Sequence, residues 1–352
     1  MVNWVQVKRK YLLSRLAKNA GLRQHAVAVD AGTVINFWLP KHKAPAKKKK
    51  KATTTTPVPT VEKDQYRGEE TGKPAVVLVH GFAGDGMMTW AFQVGSLRKR
   101  YDVYVPDLVH FGGSTSPSPD RSVGFQAACV AAALERLGVE RCAVVGFSYG
   151  GLVAFQMAAA CPGLVRSVVV SGADVAYTGA MNDALLARLG GAARKITELM
   201  LPESVAGVSR LFSAALHMRM WMPSCLLSDF LKVMYSNRKE RTEMPNAMVV
   251  KDTQVLTPAF QQVDLDEINT YLSGRHRPYY EVSRRTPTHG ILLLWGESDN
   301  FFPIESAKRL KEELGEKVTL RSIRKAGHLA QLERPFVYNR CLKEFLARVN
   351  AI

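Results

Sequence analysis

Residues 144–151 read Val-Val-Gly-Phe-Ser-Tyr-Gly-Gly. They join an apolar run at residues 142–147 to a run of good helix formers at residues 152–160. A Gly-x-Ser-x-Gly pattern between a strand and a helix is typical of a sharp turn that projects the serine hydroxyl out of the backbone. Glycines are needed on both sides, because a Cβ there would clash where the helix folds back past the strand. The pattern therefore predicts that Ser148 is a nucleophile, whereas the same motif without this context would indicate only an ordinary turn.

Apolar runs of strand length alternate with helical runs through most of the chain. Such alternation predicts an α/β fold, with a mostly parallel, doubly wound sheet and helices on both of its faces. An antiparallel hairpin is predicted ahead of this series, from residues 25–30 and 33–39. The strands predicted in the series are residues 75–79, 102–107, 142–147, 165–170, 291–295 and 318–323, and the helices are residues 122–137, 152–160, 304–314 and 335–349.

The alternation stops between residue 174 and about residue 260, where the sequence reads as methionine-rich helices. Because this span follows a strand, it predicts a helical cap over the carboxyl edge of the sheet. Residues 41–74, with five consecutive lysines, and the polar residues 263–289 cannot bury a core, and we expect flexible loops there. The predicted division is a basic helix at residues 1–24, a first part of the core at 25–173, the cap and polar loop at 174–289, and a second part of the core at 290–352.

The net charge of +17 is concentrated near the N-terminus. Residues 1–60 contain 13 lysines and arginines against one acid, Asp30, and so carry +12 of that total. Residues 2–20 also read as a basic amphipathic helix. This basic N-terminal arm predicts contact with an anionic membrane surface, while a helix docked on the body or a solubilising tail is the alternative. No nucleic-acid fold signature accompanies the charge, so we expect no nucleic-acid partner.

The chain has neither a run of about 18 to 20 apolar residues nor a secretory signal. We therefore expect a cytoplasmic protein, peripheral on a membrane if the basic segment binds lipid. The five cysteines are odd in number and lack metal-ligand spacing, which predicts free thiols in a reducing compartment and no metal site.

A serine nucleophile needs a histidine base, and the histidine needs a carboxylate to orient it. His328 is the one histidine after the last predicted strand, in an Ala-Gly-His loop, and is therefore the predicted base in the chain order Ser, acid, His. Asp299 follows the preceding strand, in Trp-Gly-Glu-Ser-Asp, and is the predicted acid. Glu297 and Asp174 are its rivals, although a turn residue and a helix cap are simpler roles for them.

The tetrahedral intermediate of acyl transfer needs two preorganised N–H donors. The backbone amide of Tyr149, the residue after the nucleophile, is one predicted donor, and the amide of Phe82 is the other. Gly81 lets the turn at residues 80–82 approach the substrate, and Phe147 is predicted to add apolar pocket wall. His80 is predicted to be structural and not a second base.

Four motifs together resemble the α/β-hydrolase fold family over nearly the whole chain: His-Gly-Phe82, Gly-Phe-Ser148-Tyr-Gly, Trp-Gly-Glu-Ser-Asp299 and Ala-Gly-His328. The chain looks most like the capped branch that includes monoacylglycerol-lipase-like esterases, and its opening Met-Val-Asn-Trp-Val resembles a plant group of such hydrolases. The resemblance implies a serine hydrolase that cleaves a carboxylic ester through an acyl-enzyme, with no metal and no organic cofactor.

Other interpretations stay open. An epoxide or haloalkane hydrolase of this family would place aspartate where Ser148 stands, whereas a C–C bond hydrolase or a hydroxynitrile lyase can use the same triad. The chain could also be a ligand receptor with little turnover, or a membrane-tethered interaction protein. Methionines within residues 216–222 favour a lipophilic ester as the substrate. His110 replaces a glycine that is usual in the family, and we expect it in a surface turn or in the pocket wall.

Overall fold

The structure, a computed structural model, describes residues 13–44, 72–191, 193–218, 221–250 and 290–351, together with Val7 and Tyr11. About half of the basic helix predicted at residues 2–20 lies outside the described residues, as do residues 45–71 of the first predicted loop and all of residues 263–289. The core and most of the predicted cap lie inside them.

Eight strands of the described chain form one sheet. Its central strands are continuous apolar runs, because helices cover them on both faces. All six residues of the strand that precedes Ser148, for example, are buried. The strands of this sheet, with two short ones that form a separate pair, are β1 (Leu22–Ala28), β2 (Val34–Pro40), β3 (Ala75–Val79), β4 (Asp102–Pro106), β5 (Cys142–Phe147), β6 (Val165–Ser171), the short β7 (Tyr177–Thr178) and β8 (Val249–Val250), β9 (Ile291–Gly296) and β10 (Val318–Ile323).

The strand order of the large sheet is β1-β2-β4-β3-β5-β6-β9-β10. The six strands from β4 to β10 are parallel to one another. The hairpin of β1 and β2 joins them antiparallel, at β4. The predicted α/β fold with a mostly parallel sheet is therefore confirmed. Since the carboxyl ends of parallel strands meet at one edge, the loops after β3, β5, β9 and β10 come together there.

Helices cover both faces of the sheet, with an apolar cluster between helices and strands on each face. The structure has a helix at residues 86–97 that is not predicted from the sequence. The Asp85 side chain caps that helix by accepting from the Met88 amide at 2.8 Å. The helices are α1 (Ser14–Asn19), α2 (Gly86–Leu97), α3 (Val123–Arg136), α4 (Tyr149–Ala160), α5 (Gly179–Arg188), α6 (Ile196–Met200), α7 (Val205–Ala215), α8 (Ser224–Met234), α9 (Arg238–Arg241), α10 (Met244–Ala247), α11 (Ile304–Leu314), α12 (Ala330–Glu333) and α13 (Pro335–Asn350).

The hairpin near the N-terminus belongs to the core. Ile35, Phe37 and Leu39 of β2 are completely buried. Residues 1–60 therefore do not form one continuous basic arm, as the charge distribution suggested, because two core strands interrupt it. The charge is divided between the residues before β1 and the residues after β2.

Helices α5 to α10 and the β7–β8 pair lie between β6 and β9 in the chain. This inserted segment does not extend the parallel sheet, and it brings α7 and α8 over the edge where the strand-end loops meet. In the described ranges no helix is long and apolar enough to cross a bilayer. None of the five cysteines forms a disulfide within the described residues.

Candidate active site

Ser148 lies between β5 and α4, in the strand-to-helix turn that the sequence predicts. Its backbone adopts φ 52° and ψ −123°, a conformation that costs free energy for a residue with a Cβ. The Ser148 amide donates to Ser171 O at 2.8 Å. A Cβ at Gly146 would lie 2.2 Å from Gly150 O, and a Cβ at Gly150 would lie 2.4 Å from His80 O. Glycine is therefore required on both sides of the serine.

The predicted base and acid reach Ser148 from two other strand ends. His328 follows β10 and Asp299 follows β9, and these strands pair in parallel. His328 Nε2 is 2.9 Å from Ser148 Oγ, and His328 Nδ1 is 2.8 Å from Asp299 Oδ2. All three side chains are buried. The structure thus brings the three residues together as a nucleophile, a base and an orienting carboxylate would be arranged.

Neighbouring groups hold the carboxylate and the imidazole in place. Asp299 Oδ1 accepts from the amides of Phe301 at 2.8 Å and Phe302 at 3.0 Å. The Phe301 ring stacks on the His328 imidazole with centroids 4.6 Å apart. The His328 amide donates to Ala215 O, at the end of α7, at 2.8 Å. The imidazole is therefore oriented from the core and from the inserted segment together.

The rival acids have other partners. Asp174 Oδ2 accepts from Arg309 Nη2 at 2.7 Å, and its Oδ1 accepts from the Val175 amide. Burial raises the pKa of Asp174, although the Val175 amide and Arg309 oppose that shift. Glu297 Oε1 accepts from Ser322 Oγ at 2.9 Å on the surface. Neither carboxylate contacts His328.

The turn at residues 80–82 lies against Ser148. A Cβ at Gly81 would come within 2.9 Å of the Phe147 ring and 3.2 Å of Ser148 Cβ, so the close approach requires glycine. The rings of Phe82 and Tyr149 meet edge to face with centroids 5.7 Å apart. Within the described part of the chain, the amides of Phe82 and Tyr149 donate to no other group. These two amides are the predicted oxyanion donors, and that role stays a prediction.

His80 holds this turn from behind. It is completely buried, its Nδ1 donates to Gly81 O at 2.7 Å, and its Nε2 accepts from the Leu108 amide at 2.9 Å. Only the neutral imidazole can make both hydrogen bonds. Burial lowers the pKa of His80 to about 4. The geometry fits the structural role expected for His80.

The depressed pKa of His80 predicts loss of stability in acid. The folded chain holds His80 neutral down to about pH 4, whereas the unfolded chain binds a proton near pH 6.5. The stabilisation is therefore present above pH 6.5 and is lost as the pH falls towards 4, a change of about 3 kcal/mol in the free energy of unfolding. Urea unfolding of wild type and His80→Asn across this pH range should show a shallower decline in the variant. Equal slopes in the two proteins would contradict the prediction.

A cavity of about 470 Å³ opens above Ser148 and His328. The core contributes part of its wall from the turn at residues 81–84 and from the loop around His328. Met88, Thr89, Phe147 and Phe301 of the core also line the cavity, and the inserted segment adds largely leucine, phenylalanine and methionine side chains from residues 200–230. Met218 and Met222, from the methionine-rich run noted in the sequence, are among them. An apolar wall of this kind suits a lipophilic ligand.

Glu333 joins the inserted segment to the loop that carries His328. Its Oε1 accepts from the amides of His217 at 2.8 Å and Met218 at 3.3 Å, and its Oε2 accepts from the Gly327 amide at 2.6 Å. One carboxylate thus fixes three backbone amides beside the cavity. Glu333 is not predicted as a site residue, because nothing in the local sequence shows that these amides lie close together.

His110 departs from both expected positions. It is 5% exposed, and its carbonyl accepts from Asn237 Nδ2 in the inserted segment at 3.2 Å. The prediction of a surface turn is therefore wrong, and His110 does not line the cavity either. Its φ of 69° lies in the left-handed region, which explains why glycine would suit this position. The inserted segment covers it, which the local sequence could not reveal.

The chain is similar in sequence to a known protein family. Residues 74–335 match the family model described as the alpha/beta hydrolase fold. The match spans well over half of the chain, and the chain belongs to this family. It is a hydrolase of the α/β fold.

Individual relatives are distant. A human protein named Epoxide hydrolase 4 is 23% identical over 292 residues, which are 79% of this chain and 73% of that protein. Among solved structures, the 2-hydroxy-6-oxo-6-phenylhexa-2,4-dienoate hydrolase of a Rhodococcus species aligns with a TM-score of 0.65 and 18% identity, covering 93% of this chain and 99% of that one. A membrane phospholipase A described as a bacterial virulence factor aligns with a TM-score of 0.63 and 22% identity, covering 99% and 96%. These structural likenesses establish the fold alone.

Proposed function

We propose that the protein hydrolyses a carboxylic ester, with Ser148 as the nucleophile, His328 as the general base and acid, and Asp299 as the orienting carboxylate. One observation carries the proposal. An unbroken series of contacts runs from Asp299 Oδ2 through the imidazole to Ser148 Oγ, at 2.8 and 2.9 Å, in the wall of an apolar cavity.

In the first half of the reaction, Ser148 Oγ attacks the ester carbonyl carbon while His328 Nε2 takes the hydroxyl proton. The carbonyl oxygen becomes an oxyanion, and the amides of Phe82 and Tyr149 are free to donate to it. Asp299, which accepts from Nδ1, stabilises the imidazolium that forms. His328 then gives its proton to the leaving alcohol, the C–O bond breaks, and the acyl group remains on Ser148.

In the second half, water repeats the sequence in place of the serine. His328 Nε2 takes a proton from water, whose oxygen attacks the acyl carbon. The second tetrahedral intermediate collapses, the proton returns to Ser148 Oγ, and the carboxylic acid leaves. These steps need only groups that the chain supplies, together with water.

The distant similarity to a protein named Epoxide hydrolase 4 raises a different reaction. An epoxide ring opened by a carboxylate nucleophile gives an ester, which water can cleave. The same ring opened by Ser148 would give an ether on the serine, which the triad could not hydrolyse. The serine at this position therefore favours acyl transfer over epoxide hydrolysis.

Turnover separates this proposal from that of a ligand receptor. A fluorophosphonate probe should label Ser148 in either case, because both would retain the activated hydroxyl. An enzyme should release many equivalents of alcohol per protein from a panel of p-nitrophenyl esters. Release limited to one equivalent of p-nitrophenol would mean that the acyl group is not discharged, and would support the receptor.

We further propose that the substrate is a lipophilic ester, such as a monoacylglycerol, and that residues 174–289 act as a cap. Each methylene buried in the cavity contributes roughly 0.8 kcal/mol at best, so kcat/KM should rise several-fold for every two carbons until the cavity is filled. Medium-chain p-nitrophenyl esters should therefore outperform the acetate. A steady fall in kcat/KM from acetate to octanoate would reject the lipophilic substrate and leave the triad in place.

A further inference from the structure

Several segments that line the cavity also carry exposed apolar side chains. Trp221 is 86% exposed and Phe336 is 88% exposed, so neither packs on the body. Burying such surface is favourable, and exposed patches of this kind mark sites of interaction. The large exposed apolar side chains in the described ranges are Tyr11, Phe92, Met218, Trp221, Phe336 and Val337.

All of these except Tyr11 belong to segments beside the cavity. Met218 lines it, and Trp221 precedes Met222, which also lines it. Phe336 and Val337 begin α13, directly after Arg334 of the cavity wall. Phe92 is joined to α13 through Asn339 Nδ2, which donates to Phe92 O at 2.9 Å. We call Phe92, Met218, Trp221, Phe336 and Val337 the apolar rim.

Polar contacts beneath the apolar rim fix its separate segments to one another. Glu333 holds the amide of Met218 and that of Gly327, as described above. Gln93 of α2 donates to both Gln331 O and Asn339 Oδ1 at 3.0 Å. The backbone of the apolar rim is therefore anchored, while its side chains remain in water.

The same segments are strongly basic. Of these segments, residues 217–226 and 321–340 contain six lysines and arginines and one acid, Glu333, whose carboxylate is occupied by backbone amides. Arg324, Lys325, Arg334 and Arg340 are exposed. Basic side chains around exposed tryptophan and phenylalanine match a lipid surface with anionic head groups, where aromatic rings favour the boundary between head groups and acyl chains.

We infer that the apolar rim inserts into an anionic bilayer, so that the cavity of Ser148 opens directly onto the membrane. This surface is distinct from the basic N-terminal segment, which the charge distribution alone had suggested. A lipophilic ester would then enter the cavity from the bilayer without crossing water. The inference goes beyond the proposed function and does not depend on turnover.

Vesicle binding by the full chain carrying Ser148→Ala tests the inference without any hydrolysis. Co-sedimentation should show binding to phosphatidylcholine vesicles that contain phosphatidylserine, weakening as salt is added. Adding Trp221→Ser and Phe336→Ser should lower the partition coefficient roughly tenfold or more, since two aromatic anchors are lost. Tyr11→Ser, which removes the exposed aromatic outside the apolar rim, is the matched control and should bind as its parent does. Circular dichroism melting curves check that each variant is folded.

A charge comparison separates local attraction from net charge. Arg324→Gln with Arg340→Gln should weaken binding to the anionic vesicles roughly tenfold or more, since two charges near the surface are lost. Lys308→Gln with Lys311→Gln, on the exposed face of α11, removes the same charge elsewhere and should have a smaller effect. Equal losses from the two pairs would contradict a membrane contact at the apolar rim.

Tryptophan fluorescence gives a second readout. Trp90 and Trp295 are completely buried and Trp38 is partly buried, so Trp221 is the exposed indole of the described ranges. In a Trp4→Phe background, brominated phosphatidylcholine in the anionic vesicles should quench its emission, and Trp221→Phe should abolish that quenching. Unchanged emission on vesicle binding would overturn the inference.

Two other results would also overturn it. Loss of binding in Lys8→Gln/Arg9→Gln/Lys10→Gln, with normal binding in the Trp221→Ser/Phe336→Ser protein, would assign attachment to the N-terminal segment. A dimer in sedimentation velocity that Trp221→Ser dissociates, with no vesicle binding, would assign the apolar rim to contact between copies of the chain.

Discussion

Ser148→Ala is expected to lower kcat/KM for a good ester substrate on the order of 10³-fold or more, because no other group can form the acyl-enzyme. The protein should remain folded, since the Ser148 amide keeps its hydrogen bond to Ser171 O whatever the side chain. The measurement is steady-state hydrolysis of a p-nitrophenyl ester, with thermal unfolding as the check on folding.

His328→Ala should cause a loss of similar size, and the double variant little more than either single one, because triad members act as a unit. Fluorophosphonate labelling should disappear in both single variants. Near-wild-type hydrolysis by Ser148→Ala would sink the proposed mechanism. A double variant that lost the product of the two single effects would instead show that the residues act independently.

Asp299→Asn is expected to lower kcat by roughly 10³- to 10⁴-fold, whereas Asp174→Asn should leave hydrolysis within a few-fold of wild type. Asp299 Oδ2 faces His328 Nδ1, so an amide there cannot both keep the contacts to the Phe301 and Phe302 amides and accept the imidazole proton. Asp174 is bound to Arg309, and its loss should appear in the unfolding midpoint.

Comparing Asp299→Asn with Asp174→Asn tests which carboxylate orients His328. Each removes one charge from a buried carboxylate at the end of a parallel strand, so each is the control for the other. Greater damage to hydrolysis in Asp174→Asn than in Asp299→Asn would show that the wrong acid was chosen. Hydrolysis should be measured with a soluble short-chain ester, so that membrane attachment does not enter the comparison.

Local sequence was sufficient for Ser148, because the demands of its turn are local. Positions 146 and 150 must be glycine, because a Cβ at either position would clash with backbone atoms of this turn and the neighbouring strand. The strand and helix propensities on either side of the turn can be read from the sequence. The helix at residues 86–97, in contrast, was not predicted from local sequence. Its two glycines and its β-branched and aromatic residues lower its helix propensity, and burial of Met87, Trp90 and Val94 against the sheet stabilises it.

Local sequence did not decide which carboxylate contacts His328. Asp174 and Asp299 each follow a strand that ends at the same edge, and the sequence could only rank them. In the folded chain the two carboxylates have different hydrogen-bond partners. Asp174 binds Arg309, whereas Asp299 accepts from the amides of Phe301 and Phe302 and faces His328. His110 was misplaced for the same reason, since the segment that buries it comes more than a hundred residues later.

The sequence by itself determined the class of fold and the sharp turn that carries Ser148, because strand alternation and the glycine-flanked turn depend on neighbours along the chain. Only the tertiary structure decided which carboxylate faces the imidazole, what encloses the cavity, and that Glu333 joins residues 116 positions apart. It also decided that the charge-rich N-terminal residues are interrupted by core strands and that the segments lining the cavity carry exposed aromatic side chains. These features depend on which surfaces pack together, and packing between distant segments has no counterpart in the order of residues along the chain.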